Sequence, residues 1–294
     1  MISIDDRIKY YIGNTDGPFV EKPRFHKNGY DVPIAINLPT YRHQYQVIHP
    51  NTAYPIDVVR LAKHSTKPTL YFQCGDSPYT DWTWPIFVKI RDTRIKSSKG
   101  IICNLESPRH MGEIFKFEDT KWENKKSDWL WRGADTGRGV RLDFVNRFYK
   151  KYNVGFSDYV QDHKMHPELY TEELKKPKVI PRDLLAHKYL PVVDGNDKSS
   201  SLGWIMASNS VPIMPVPRYH TWMCEPWLKP GVHYVEVKRN FSDLIEKIEW
   251  CKEHDEECLE IAENGKKFML QFTNPLQEEY IERKLVEYVN KCNT

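Results

Sequence analysis

Four short stretches of this chain carry side chains suited to chemistry on anions and hydroxyls. Asp76, in Cys74-Gly75-Asp76-Ser77-Pro78-Tyr79, directly follows the apolar run Leu70-Tyr71-Phe72. An aspartate at the carboxyl end of a buried strand faces the crevice where open α/β sheets bind ligands. An Asp before Ser-Pro is also a good cap for a turn, and the residues alone leave both readings open. Trp131-Arg132-Gly133-Ala134-Asp135-Thr136-Gly137-Arg138 is a strand end, a glycine-rich turn and a helix start. Such a turn, here holding Gly133 and Thr136, offers a phosphate its backbone N–H groups and the positive end of a helix dipole, and Arg132 and Arg138 flank it. It lacks the Gly-Lys-Ser/Thr of a P-loop and the Gly-x-Gly-x-x-Gly of a dinucleotide fold, so plain strand-to-helix topology accounts for it equally well.

The same grammar returns in Val193-Asp194-Gly195-Asn196-Asp197-Lys198-Ser199-Ser200-Ser201. Lys198 and three hydroxyls at a helix start suit a pyrophosphate, although an Asp/Gly turn with a serine N-cap explains the run without any ligand. Glu225-Pro226-Trp227-Leu228-Lys229-Pro230-Gly231-Val232-His233-Tyr234 gathers an acid, a lysine, a histidine and aromatics before a short strand. The Glu225 carboxylate can accept both hydroxyls of a ribose, while His233 and Tyr234 are equally suited to packing a core.

The elements that must position these residues follow from the apolar pattern. Short β-branched or aromatic runs bounded by Pro, Gly and Asp read as buried strands at Leu70–Phe72, Ile86–Val88, Ile101–Cys103, Trp129–Trp131, Tyr189–Val193 and Val211–Met214. Val140, Phe144, Phe148 and Tyr152 recur every fourth residue as one helical face, and a second helix is expected near Ser199–Ala207. Strands separated by helices predict an α/β fold with mostly parallel sheets. Ser242 is the expected N-cap of a helix carrying Leu244, Ile248 and Cys251, and Asn274-Pro275 opens a last helix with Gln277 three residues after the cap. The first thirty residues, polar and rich in Pro and Gly, read as an irregular lead-in, and Asp162–Arg182 as a polar, proline-broken connection. No internal repeat is visible.

Composition narrows the function classes. The 294 residues are 40% hydrophobic and 28% charged, as in an ordinary globular protein of one large or two medium domains. A balance of 43 basic against 40 acidic residues is too even for a nucleic-acid footprint, so local basic clusters must serve smaller anions. The apolar stretches are far shorter than the ~20 residues a membrane span needs, and the start of the sequence does not read as a secretory signal. A cytoplasmic protein is therefore expected, unless a leader has been removed. Six cysteines without a Cys-x-x-Cys pair imply neither zinc nor a disulfide framework. There is also no Asp-x-Asp of the kind that carries manganese under a sugar nucleotide, which favours a basic, metal-independent site.

In order and spacing, four pieces of the chain resemble the CAP10 / Rumi / protein O-glucosyltransferase family. They are Trp131-Arg132-Gly133; His187-Lys188-Tyr189-Leu190 with Asp194-Gly195 and Ser199-Ser200-Ser201; Glu225-Pro226-x-Leu228-Lys229-Pro230-x-Val232-His233-Tyr234; and Ser242-Asp243-Leu244. The resemblance implies a GT-B architecture, two Rossmann-like domains facing a cleft: residues 1–125 on the acceptor side, 126–272 binding a UDP-sugar, and a helix at 273–294 crossing back. It implies inverting, metal-independent transfer of xylose or glucose from the UDP-sugar to a hydroxyl of a glycan or glycoprotein. Xylose is favoured because relatives that build glycans use it. Asp76, in Asp76-Ser77-Pro78 followed by Pro85-Ile86-Phe87, takes the place of the base. Asp92, in Arg91-Asp92, is the rival, and the trailing proline decides for Asp76. The donor would be held by Arg132, Gly133, Thr136, Arg138, Asp194, Lys198, Ser199, Ser200, Ser201, Glu225 and His233. One departure stands out: Leu202 occupies a place where many relatives carry an arginine. It leaves open a second class of function, a catalytically inactive nucleotide-sugar or glycan-binding module.

Overall fold

A computed structural model describes residues 1–13, 34–37, 54–76, 82, 84–105, 107 and 119–292. In chain order the elements are α1 (Ile4–Ile12), β1 (Ile34–Asn37), α2 (Tyr54–Ala62), β2 (Thr69–Gln73), β3 (Ile86–Val88), β4 (Arg91–Asp92), β5 (Gly100–Ile102), β6 (Lys126–Ala134) and α3 (Val140–Phe148). There follow β7 (Asn153–Asp158), α4 (Pro181–Leu184), β8 (His187–Pro191), α5 (Ser201–Met206), β9 (Val211–Met214), β10 (Tyr219–His220) and β11 (Val235–Glu236). Three helices close the chain, α6 (Leu244–Glu253), α7 (Asp255–Leu270) and α8 (Pro275–Cys292). The fold is α/β with parallel sheets. Among the described residues no helix is long and apolar enough to cross a membrane.

The chain divides into two compact units: 1–112, 218–227 and 271–294 form unit 1, and 113–217 with 228–270 form unit 2. Unit 1 holds a four-stranded sheet in the order β1-β2-β3-β5, with β2, β3 and β5 parallel and β1 antiparallel on the edge. From Leu70 to Gln73 every residue of β2 is buried, as expected of a strand covered on both faces. On α2, Tyr54, Asp57, Val58 and Leu61 are buried, the i, i+3, i+4, i+7 stripe of an amphipathic helix.

Of the first thirty residues, expected to be an irregular lead-in, Ile4–Ile12 form a helix, and the part after Gly13 lies outside the described residues. Ser3 caps α1 by accepting the Asp6 N–H, and the buried face carries Arg7 and Tyr11. Arg7 is apolar to no hydropathy scale, yet it is 2% exposed, because Glu278 of α8 grips its guanidinium with two bonds of 2.7 and 2.8 Å. A charged group can be buried when it is paired and hydrogen-bonded in this way. Asn274 caps α8 as expected, its side chain accepting the N–H groups of Leu276 and Gln277.

Unit 2 is built on a five-stranded, wholly parallel sheet in the order β11-β9-β8-β6-β7. Its core is aromatic: Trp129 and Trp131 of β6, Phe144 and Phe148 of α3, Phe156 of β7, Tyr189 of β8 and Phe241 pack in one cluster. The expected α3 face holds at Phe144 and Phe148, but Val140 is exposed and Tyr152 lies beyond the helix end. Asp243, not Ser242, occupies the N-cap of α6. The stretch from Asp162 forms three short 3-10 turns and α4, held in place by the buried Leu174 and by Tyr170 against Phe156. All six cysteines are free thiols.

Candidate functional site

The winding of the unit 2 sheet reverses beside β6. From β6 the chain crosses through α3 to β7 on one flank, whereas β8 lies on the other flank and β9 and β11 continue outward. The loops leaving the carboxyl ends of β6 and β8 therefore lie at the topological switch point of the sheet, the crevice position where open α/β sheets bind ligands. These loops contain Thr136 to Gly139 and Asp194 to Ser200, the two glycine-bearing turns that sequence had set apart by some sixty residues.

At the crevice the two loops touch. A Cβ on Gly137 would lie 3.2 Å from the Asp194 carbonyl oxygen and 3.3 Å from the Gly195 Cα, closer than most Cβ contacts, so glycine eases this approach. Gly137, Arg138 and Gly139 have φ of +100°, +52° and +91°, a left-handed run that reverses the chain into α3. The Gly137 N–H donates to Asn196 Oδ1 at 3.2 Å and the Gly139 N–H to Asp162 Oδ2 at 3.1 Å. Arg138 is exposed and Lys198 partly so. Ser199 is buried with its Oγ 2.8 Å from Ser201 Oγ, and Ser200 stands exposed at the N-cap of α5.

Two aspartates shape the loops. The Asp194 carboxyl lies deep although part of the residue reaches the surface; burial pushes it up to about 6, against the pull of the Ser199 N–H (3.2 Å), Arg239 and Arg141. Asp135 is fully buried and accepts the N–H groups of Val160, Gln161 and His163, with His163 Nδ1 2.8 Å away. Burial alone would raise its carboxyl; these bonds prevail and hold it below the usual range.

Three residues expected at the donor have their polar atoms engaged by other protein groups. The Arg132 guanidinium turns toward β7, donating to the carbonyls of Trp131, Asn153 and Pro177 at 2.8 to 3.0 Å, and so sits along the sheet instead of at its carboxyl edge. Glu225 belongs to unit 1, where it is 2% exposed and its carboxylate accepts the N–H and the hydroxyl of Thr221. His233 accepts the Lys229 N–H on Nδ1 at 3.0 Å and packs edge-on to Phe268, closing its own loop. Burial and Lys229 lower its pKa. Leu202 is buried in the first turn of α5.

In unit 1, Asp76 follows β2 and Lys89 follows the neighbouring parallel strand β3, and the two form an ion pair at the carboxyl ends of those strands. The Asp76 side chain is 38% exposed against 7% for Lys89. Ser77 and Pro78 lie outside the described residues. The rival Asp92 is 1% exposed, and Arg94 and Arg218 donate to both of its oxygens at 2.8 to 3.2 Å. Among the described residues no three His, Cys, Asp or Glu side chains gather to hold a metal ion.

The model of glycosyl transferase family 90 matches residues 58–291, which takes in both units and every loop described above. The chain belongs to glycosyl transferase family 90. Over 197 residues it is 32% identical to the O-glucosyltransferase LpsA of Dichelobacter nodosus, covering 66% of this chain and 58% of that protein. Protein O-glucosyltransferase 2 of Danio rerio is 28% identical over 214 residues, 71% of this chain and 40% of the relative. Protein O-glucosyltransferase 3 of Homo sapiens is 33% identical over 195 residues, 65% of this chain and 36% of the relative. This family 90 chain thus spans between 36% and 58% of the length of these three relatives.

One polar residue of this family 90 crevice escaped the motif reading. Arg141, in the first turn of α3, donates to the carbonyls of Ala134, Val193 and Asp194 and to Thr136 Oγ1, at 2.8 to 3.4 Å. No glycine spacing or flanking cluster marks it in the sequence, where it reads as an ordinary residue of a helix whose apolar face carries Phe144 and Phe148.

Proposed function

We propose that the chain is an inverting glycosyltransferase that moves a sugar from a UDP-sugar to a hydroxyl of a glycan or glycoprotein, with Asp76 as general base. The observation that carries the reading is the meeting of the Thr136–Gly139 and Asp194–Ser200 loops at the reversal point of the unit 2 sheet. Family membership supports it, and the GT-B architecture, with unit 2 on the donor side and unit 1 on the acceptor side, is part of it.

Inversion requires one in-line displacement. The acceptor oxygen forms its bond to the anomeric carbon as the bond to the UDP oxygen breaks, and the hydroxyl proton passes to the Asp76 carboxylate. The proton becomes acidic only as the new bond forms, so a carboxylate suffices as base; a well-placed one gives about 10²–10⁴-fold. Negative charge develops on the departing β-phosphate, and Arg138, Lys198 and the Ser199–Ser201 hydroxyls are the groups in this reading that meet it. Arg132 is left out, since its guanidinium is spent on β7 and Pro177. Asp76 is preferred to Asp92 because Arg94 and Arg218 occupy both oxygens of Asp92.

The names of three relatives specify O-glucosyl transfer, which favours UDP-glucose over the UDP-xylose expected from sequence. UDP release measured with each donor, for wild type and Asp76→Asn, tests the reading. Turnover with one donor and its loss in the variant supports it. Binding of UDP-sugar without turnover by the wild type would favour an inactive binding module, the reading that Leu202 leaves open.

A further inference from the structure

We infer that Arg141 is a positioning residue that sets the spacing of the two crevice loops and presents the Thr136 hydroxyl to the donor diphosphate. The inference rests on the donor site proposed above. Arg141 is the second residue of α3, so its side chain starts at the carboxyl edge of β6. From there Nη1 donates to the Ala134 carbonyl (3.1 Å) and to Thr136 Oγ1 (2.8 Å), both on the β6 side. Nε reaches the Asp194 carbonyl (3.2 Å) and Nη2 the Val193 carbonyl (3.2 Å), both on the β8 side.

One rigid, planar cation thus ties together the ends of the two strands between which the sheet reverses. Only a guanidinium has donors spread widely enough to do this; a lysine ammonium has three donors on a single flexible point. Gly195 records how close the cation lies, since a Cβ there would stand 3.2 Å from Arg141 Nη2 and 2.9 Å from Thr136 Oγ1.

The direction of the Thr136 bond matters for chemistry. Arginine can only donate, so Thr136 Oγ1 is the acceptor, and the hydroxyl's own proton is left to donate to another group. A phosphate oxygen in the crevice is the acceptor such a proton fits, and its donor oxygen is already polarised by a cation. Arg141 therefore acts on a diphosphate through the threonine and through loop spacing, with no contact of its own required.

The test compares binding of UDP and of uridine by calorimetry, for wild type, Arg141→Met, Arg141→Lys, Thr136→Val and the double variant Arg141→Met with Thr136→Val, alongside thermal melting. Wild type must first bind UDP; if it does not, the donor-site reading itself fails. Given that it does, Arg141→Met is expected to weaken UDP by about tenfold or more while leaving uridine within about twofold, because only the phosphate increment depends on the loops. Arg141→Lys, which keeps the charge, should recover no more than part of that loss. Thr136→Val should cost less in the Arg141→Met background than in wild type, since the two act in series. A melting temperature that falls while UDP and uridine weaken by equal factors would overturn the inference, as would full rescue by lysine or UDP affinity unchanged in both Arg141 variants. If Arg141→Met does not fold, the Arg141→Lys and Thr136→Val comparison decides alone.

Discussion

In unit 1 the parallel strands β2 and β3 lead to an ion pair, Asp76 with Lys89, whereas in unit 2 the strands β6 and β8 end on two loops laced by glycine approach, Asn196 and Arg141. The first arrangement presents a carboxylate that is paired with a buried lysine and still 38% exposed. The second presents a surface shaped by backbone, in which most polar groups are already bonded to each other. The contrast follows from topology. The unit 1 strands β2, β3 and β5 are laid down in order without reversal, while the unit 2 sheet turns back at β6 and gains a crevice in doing so. In the proposed reading, the laced loops of unit 2 suit a fixed part such as a diphosphate, and the ion-paired Asp76 carboxylate suits proton transfer from an acceptor.

This contrast predicts that damage in the two places will read out differently. The largest effect belongs to Asp76→Asn, which should lower turnover by about 10²–10⁴-fold while UDP affinity, measured by calorimetry, stays at the wild-type value. Equal losses in both would merge the two regions into one site and break the comparison. Next comes Gly137→Val. It places a branched side chain at φ +100° and against the Asp194 carbonyl, so UDP affinity should fall by about tenfold or more from backbone strain alone.

The smallest effect is a pH dependence of stability. The folded state raises the Asp194 carboxyl to about 6, above its unfolded value, so the charged form is disfavoured by folding. The cost is absent at low pH, grows as pH rises from about 4 to 6, and is complete above that. Asp194→Asn can still accept the Ser199 N–H, and it should raise the melting temperature by roughly 2–5 °C at pH 7.5 while making no difference near pH 4. A gain of equal size at both pH values would place the cause elsewhere than in the carboxyl's charge.

Much of unit 2 was legible in the sequence, because buried parallel strands are written as apolar runs that Pro, Gly and Asp interrupt. Trp129-Leu130-Trp131, Tyr189-Leu190 and Val211–Met214 each became a strand for that reason, and the turns after the first two became the crevice. What escaped depends on partners far away in the chain. Strand β7 has only Val154 and Phe156 as large apolar residues and is recognisable once β6 lies beside it. Helix α1 is masked by Arg7, whose burial makes sense only with Glu278 some 271 residues later. Arg132 and Glu225 have the right chemistry for a donor, but Asn153, Pro177 and Thr221 claim their polar atoms, and no spacing rule announces such claims. Arg141 is the converse, an ordinary helix residue by sequence that topology places between two loops.

The central claim, that the reversal point of unit 2 holds the diphosphate, is tested most directly by amide hydrogen exchange with and without saturating UDP. Peptides covering residues 134–141 and 193–201 should exchange more slowly with UDP bound, and those covering 70–76 should be unchanged. Unaltered exchange in both loops, or slowing confined to the peptides after β2, would contradict it.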